Sequence, residues 1–180
     1  IGRILRDAAE GLHAAHELRD ADGRRLEVVH RDVSPQNIFV GFDGTTRVID
    51  FGVAAAADRI HHTATGEVKG KFAYMAPEQV NHDTPDRRID VWALGVVAWE
   101  ALTLKRLFRR EGTAATLYAV LEEPIEAPSA LSPRLPEALD APILHALRRE
   151  RDERTPSTRE LGDAIRVAIE ARGARRAEPG

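Results

Sequence analysis

Cysteine is absent from the 180 residues. That excludes disulfides, thiolate metal sites and a cysteine nucleophile. Charge of one sign is not in excess: 26 basic side chains face 29 acidic ones, for a formal net charge of −3. With no basic surplus to neutralise phosphates, no nucleic-acid partner is expected. Long hydrophobic runs are missing too. The longest, Val91 to Trp99, has nine residues, and a bilayer span needs about 20. No secretory signal opens the chain. No membrane contact is therefore expected from this segment, and a cytoplasmic location is. Methionine occurs once, as Met75, and lysine only at Lys69, Lys71 and Lys105. What remains is 43% hydrophobic and 31% charged, the composition of a soluble domain large enough to bury a core.

Periodicity divides the chain. Ile1, Ile4, Leu5, Ala8, Leu12 and Ala15 mark one stripe of a helix over residues 1–19. The stripe runs from the first residue with no cap before it, which predicts a helix cut from something longer. Leu26–Val29, Ile38–Val40 and Thr46–Ile49 read as short strands, the last two joined by a turn at Gly41-Phe42-Asp43-Gly44. Residues 53–71 lose periodicity and read as a long functional loop. Ile89 to Leu104 is apolar nearly all round, so a buried central helix is predicted. Further helices are expected at 114–121, 137–149 and 156–171, with a proline-rich loop at 124–136. Ser157 or Thr155 is the expected cap of the last helix, with Pro156 in its first turn. Residues 172–180, including Arg172, Arg175 and Arg176, read as a linker or tail. His13 and His16 on the first helix and His61-His62 in the loop lack a third ligand at matching spacing, so helix-face and loop histidines are expected rather than a metal site.

Four short motifs carry chemistry: His30-Arg31-Asp32-Val33-Ser34-Pro35-Gln36-Asn37, Asp50-Phe51-Gly52, Ala76-Pro77-Glu78 and Asp90-Val91-Trp92-Ala93-Leu94-Gly95. The five fixed positions of H-R-D-x-x-P-x-N should arise by chance in about one chain in 20,000 of this length. In this order, the set resembles the C-terminal lobe of the eukaryotic-like (Hanks-type) serine/threonine protein kinases of bacteria, from residue 1 to about 171.

The resemblance implies a mainly α fold with a small β-hairpin region (α+β), a protein-kinase-like C-lobe without its N-lobe. It implies a catalytic loop at 30–37, an activation segment at 50–78 and a helical subdomain at 87–171. Phosphoryl transfer needs positioning and charge neutralisation more than covalent help. By resemblance, Asp32 orients the attacking hydroxyl. Asn37 and Asp50 ligate Mg²⁺ (Mn²⁺ as a substitute) beside ATP, and Phe39 lies beneath the adenine ring. His30 and Phe51 stack under the site, Asp90 holds the catalytic-loop backbone, and Glu78 pairs with Arg154. The implied partner is a protein substrate.

The chain departs from the family at two positions. Ser34 stands where a lysine is usual, and Lys71 where a threonine is usual. Either Lys71 reaches Asp32, hydrogen-bonded to Ser34, and supplies the missing cation, or it is a solvated loop residue. Thr63 and Thr65 are candidate phosphosites. Phosphate would add about −2 of charge for Arg31 to receive, and Glu67 is a candidate partial mimic.

No G-x-G-x-x-G occurs among the thirteen glycines, and no lysine precedes Lys69. A fragment lacking its N-lobe in cis is therefore expected, weak in ATP binding and inactive alone. A pseudokinase or protein-binding scaffold is the alternative function.

Overall fold

The computed structural model describes residues 1–51 and 70–177. At its centre lies helix α3, Arg88–Thr103. Its sequence has no polar face, so burial on every side is its only stable setting. Val91, Trp92, Leu94, Val96 and Ala98 are fully buried, each large one contributing about 1.5–3 kcal/mol. Asp86 accepts the Arg88 backbone N–H at 2.8 Å and so satisfies one open donor of its first turn. Leu104 ends the helix in the left-handed region, φ +58°, donating its N–H to the Glu100 carbonyl at 2.8 Å.

Around α3 stand α1 (Gly2–His16), α2 (Pro77–Val80), α4 (Thr113–Glu122), α5 (Pro128–Leu131), α6 (Asp140–Ala146) and α7 (Thr158–Ala177). Helix α1 buries Leu5, Ala8, Ala9, Leu12 and His16, the stripe its spacing predicts. It packs tightly on α7. A methyl added at Gly162 would sit 2.7 Å from the Ala9 Cβ, and Thr158 Oγ1 donates to the Ala9 carbonyl at 2.9 Å. Ser157 caps α7: its Oγ accepts the Glu160 N–H at 3.3 Å and donates to Glu160 Oε1 at 3.0 Å. Pro156 therefore precedes the cap instead of lying in the first turn. The α7 backbone continues past residue 171 to Ala177, beyond the predicted end. A single turn of helix, α5, interrupts the stretch expected to be loop.

The strands β1 (Ile38–Val40) and β2 (Thr46–Val48) form one antiparallel hairpin with Ile38 opposite Val48, Phe39 opposite Arg47 and Val40 opposite Thr46. Gly44, at φ +77°, supplies the turn. The predicted strand at Leu26–Val29 does not form. Leu26 donates to the Leu18 carbonyl at 2.9 Å and an isolated bridge joins Arg19 to Arg25, but no neighbouring strand runs alongside. β-type residues without a partner ladder stay extended coil. The mainly α architecture with one small hairpin agrees with the fold class expected from sequence. No helix among the described residues is long and apolar enough to cross a membrane.

Candidate active site

The site is assembled on α3. Asp90, 1% exposed in its first turn, accepts three hydrogen bonds: His16 Nε2 at 2.7 Å, the His30 N–H at 2.8 Å and the Arg31 N–H at 2.9 Å. Two successive backbone N–H groups reach one carboxylate because Arg31 adopts φ +67°. Such a conformation costs about 1–3 kcal/mol in a non-glycine residue. Each hydrogen bond to a carboxylate returns about 1.5–3 kcal/mol, so the anchor outweighs the strain. The loop that follows Arg31 is thereby fixed to the core.

His30 links this loop to the segment after β2. Its Nε2 pairs with the Ile49 carbonyl at 2.9 Å, its Nδ1 accepts the Asp32 N–H at 3.3 Å, and its ring meets Phe51 at 4.5 Å between centroids. These partners assign the neutral ring with its proton on Nε2. Asn37 ties the same two segments. Its side-chain N–H₂ donates to the Asp32 carbonyl at 2.7 Å and to Asp32 Oδ2 at 3.2 Å, while its own carbonyl accepts the Ile49 N–H at 2.9 Å. Asp50, between Ile49 and Phe51, is exposed and lies at φ +58°. Asp32 and Asn37 are thus tied together, and Asp50 follows Ile49, which is bonded to Asn37.

Lys71 completes the group. It leads into the tight turn Phe72–Tyr74, and its Nζ lies 2.7 Å from Asp32 Oδ2. Its side chain stays 45% exposed against 10% for Asp32, so the ammonium faces both the carboxylate and solvent. The expected bond from Lys71 to Ser34 is not formed. Ser34 is 1% exposed, with no partner for its Oγ among the described residues. It is turned inward where Pro35 opens a short 3-10 turn.

The donor set suits a hard divalent cation. Asn37 commits its amide nitrogen to Asp32, so its side-chain oxygen is the donor it would offer a metal, and Asp50 would offer a carboxylate. Oxygen-only donors fit Mg²⁺ or Mn²⁺. Phe39 is 53% exposed on β1, an uncovered apolar surface on the hairpin next to Asn37. His16 is bound to Asp90, and no group of three or more histidine or acidic side chains that could hold a metal ion occurs among the described residues. Thr63, Thr65 and Glu67 lie outside the described residues. Arg31 is exposed and forms no ion pair among them.

Away from the loop, Arg154 meets Glu78 through two bonds, 2.6 and 2.9 Å, both side chains buried. The motif reading names this pair. It misses two others. His16 on Asp90 is one, legible in the α1 stripe, whose next buried position after Leu12 is residue 16. The second is Glu100, an acid inside the nearly all-apolar stretch Ile89 to Leu104. It accepts from the Tyr74 hydroxyl at 2.8 Å, from Arg106 at 2.7 Å and from the Leu107 N–H at 3.0 Å. Burial pushes the Tyr74 phenol well above the usual tyrosine range; the Glu100 charge adds to this, and Arg106 and Arg109 offset part of it.

The chain is similar to known proteins of one family. A sequence model of the protein kinase domain matches residues 1–161. Tyrosine-protein kinase MasK of Myxococcus xanthus is 47% identical over 93% of this chain and 26% of its own length. Serine/threonine-protein kinase Pkn1 of Myxococcus xanthus is 37% identical, over 98% and 26%. Serine/threonine-protein kinase PknH of Mycobacterium tuberculosis is 35% identical, over 92% and 25%. The crystal structure of the Mycobacterium tuberculosis PknI kinase domain superimposes with a TM-score of 0.66 and 26% identity, covering 93% of this chain and 54% of that one. The chain thus spans about a quarter of the length of these curated relatives.

Proposed function

Since the chain belongs to the protein kinase family on its match over residues 1–161, we propose that it carries the acceptor side of a kinase transferring the γ-phosphoryl group of ATP to serine or threonine hydroxyls of proteins. The observation that carries this reading is the Lys71 ammonium 2.7 Å from Asp32, with Asn37 on the same carboxylate oxygen.

Asp32 orients the acceptor hydroxyl and takes its proton as the oxygen attacks phosphorus and ADP leaves. Asn37 holds the Asp32 carboxylate against rotation. Lys71, half in solvent, places one positive charge where the transferred group gathers negative charge. It fills the office of the lysine that the family usually carries at position 34. Asn37 and Asp50 would hold Mg²⁺, which supplies charge neutralisation to the phosphates. The G-x-G-x-x-G loop and an upstream lysine that would grip ATP are not among these 180 residues. ATP binding by the isolated chain is accordingly expected to be weak.

The test is transfer from γ-labelled ATP in the full-length protein, with serine, threonine and tyrosine peptides as acceptors. Asp32→Asn should lower turnover by about 10²-fold or more, and Lys71→Ala by about 10²-fold. Adding Ser34→Lys to Lys71→Ala should recover part of the loss. Full activity in Lys71→Ala refutes the exchanged cation. Phosphate on tyrosine alone refutes the serine/threonine assignment. No transfer to any acceptor favours the scaffold reading, which the serine at position 34 supports.

A further inference from the structure

A cleft of about 340 Å³ opens beside the proposed catalytic loop, lined by Pro35, Val97, Glu100, Leu104, Lys105 and Arg106. Its floor is apolar and its rim is cationic. The left-handed turn at Leu104 swings Lys105 and Arg106 out of α3 against Pro35. Pro35 is three residues from Asp32, so the two Cα atoms lie within about 11 Å. Cleft and catalytic carboxylate are therefore within reach of one extended peptide.

The charge balance at the cleft is one-sided. Glu100, the only acid among the described residues that line it, is 6% exposed and already holds Tyr74, Arg106 and the Leu107 N–H. Buried and engaged by three donors, it presents little charge to a basic peptide. The sequence continues Lys105-Arg106-Leu107-Phe108-Arg109-Arg110. Arg110 is committed to Glu123. Lys105 and Arg109 are exposed and form no ion pair among the described residues. Arg106 is half exposed even while paired. Arg109 lies close enough to Tyr74 to act on its phenol, and Tyr74 is three residues from Lys71. Lys105 and Arg106 thus give the cleft a positive rim, with Arg109 three residues further on and Glu111 the only acid following them in the loop.

We propose that this cleft seats the acceptor segment of the protein substrate and selects acidic residues in it. The proposal rests on the kinase reading above and specifies its substrate class. An extended chain advances about 3.3 Å per residue, so the selected acid lies two to four residues from the hydroxyl. The apolar floor of Pro35, Val97 and Leu104 accommodates a neighbouring apolar side chain. Each exposed cation is worth about a two- to five-fold gain in affinity, and Lys105, Arg106 and Arg109 together about ten-fold or more.

The experiment measures fluorescence anisotropy of three labelled peptides that share one serine and an apolar neighbour but carry Glu, Gln or Lys at the flanking positions. The acidic peptide should bind about ten-fold tighter than the Gln peptide at low salt, with the gap closing as salt screens the cations. Lys105→Glu with Arg109→Glu should abolish the gap. Circular dichroism melting checks that this variant folds; if it does not, Lys105→Gln and the salt titration on the native protein carry the test. Equal binding of Glu and Gln peptides, or a gap untouched by the variants, overturns the proposal. Phosphoryl transfer to the same peptides by the full-length protein separates the two ideas. Transfer at equal rates to all three refutes acidic selection and leaves the kinase reading standing. Charge-selective binding without transfer refutes the kinase reading and leaves an acid-binding surface.

Discussion

Replacing Arg154 by methionine should destabilise the fold by about 3–5 kcal/mol, the range for breaking a buried ion pair from one side. The structure places the value at the upper end. All five N–H groups of the guanidinium are used: two on Glu78, and one each on the carbonyls of Arg88, Arg148 and Arg149. Methionine keeps part of the packing on Trp92, whose ring the guanidinium covers at 5.2 Å, but supplies none of those donors. Glu78 would remain as a buried carboxylate, and three carbonyls would lose a partner. For a chain of this size the loss corresponds to a fall of about 6–20 °C in Tm. Urea unfolding followed by circular dichroism measures it directly. The double variant Arg154→Met with Glu78→Leu removes both charges and leaves the carbonyls unpaired, so it should fall between the single variant and the native protein. A loss under about 1 kcal/mol in Arg154→Met would show that the pair is not buried as described, and the reasoning would fail.

Two further outcomes follow from the packing of α1 on α7 and from the charges at the start of α3. Gly162→Ala should destabilise by about 1–3 kcal/mol, because its new methyl meets Ala9 at 2.7 Å where α1 and α7 touch; an unchanged urea midpoint would refute that close approach. Acid should weaken the start of α3. Burial alone would raise the Asp86 carboxyl, but hydrogen bonds from the Arg88 side chain and backbone, with the charges of Arg88 and Arg151, outweigh it and hold the group below its ordinary value of 3.8. A depressed folded value means stability that is complete above the ordinary range and lost as pH falls through the folded value. Urea midpoints of the native protein should therefore drop more steeply below pH 3.8 than those of Asp86→Asn, and parallel curves would refute the link.

The helical half of the fold is legible because its signals are local. An apolar stripe fixed the inner face of α1, and an apolar run marked α3. The hairpin announced itself through its turn. The extended run at Leu26–Val29 was misread because β-type composition says nothing about whether a partner strand exists. In the site, the motif order pointed to the Asp90 anchor and the Glu78–Arg154 pair. The inward rotation of Ser34 was not legible, since it depends on the backbone entering the turn at Pro35. His16 and Glu100 were legible and passed over: a polar residue on a stripe or within a run that must be buried announces a partner, here Asp90 and Tyr74 with Arg106.

One carboxylate on α3 sets where the reactive loop sits. Asp90 grips that loop at two adjacent amides, so the loop's mooring to the helical core belongs to the buried central helix. Any tilt of that helix is transmitted to Asp32 as a lever transmits a push. Substitutions at Gly95, whose methyl would press on Ala146 at 3.1 Å, should then be felt at the chemistry without touching it.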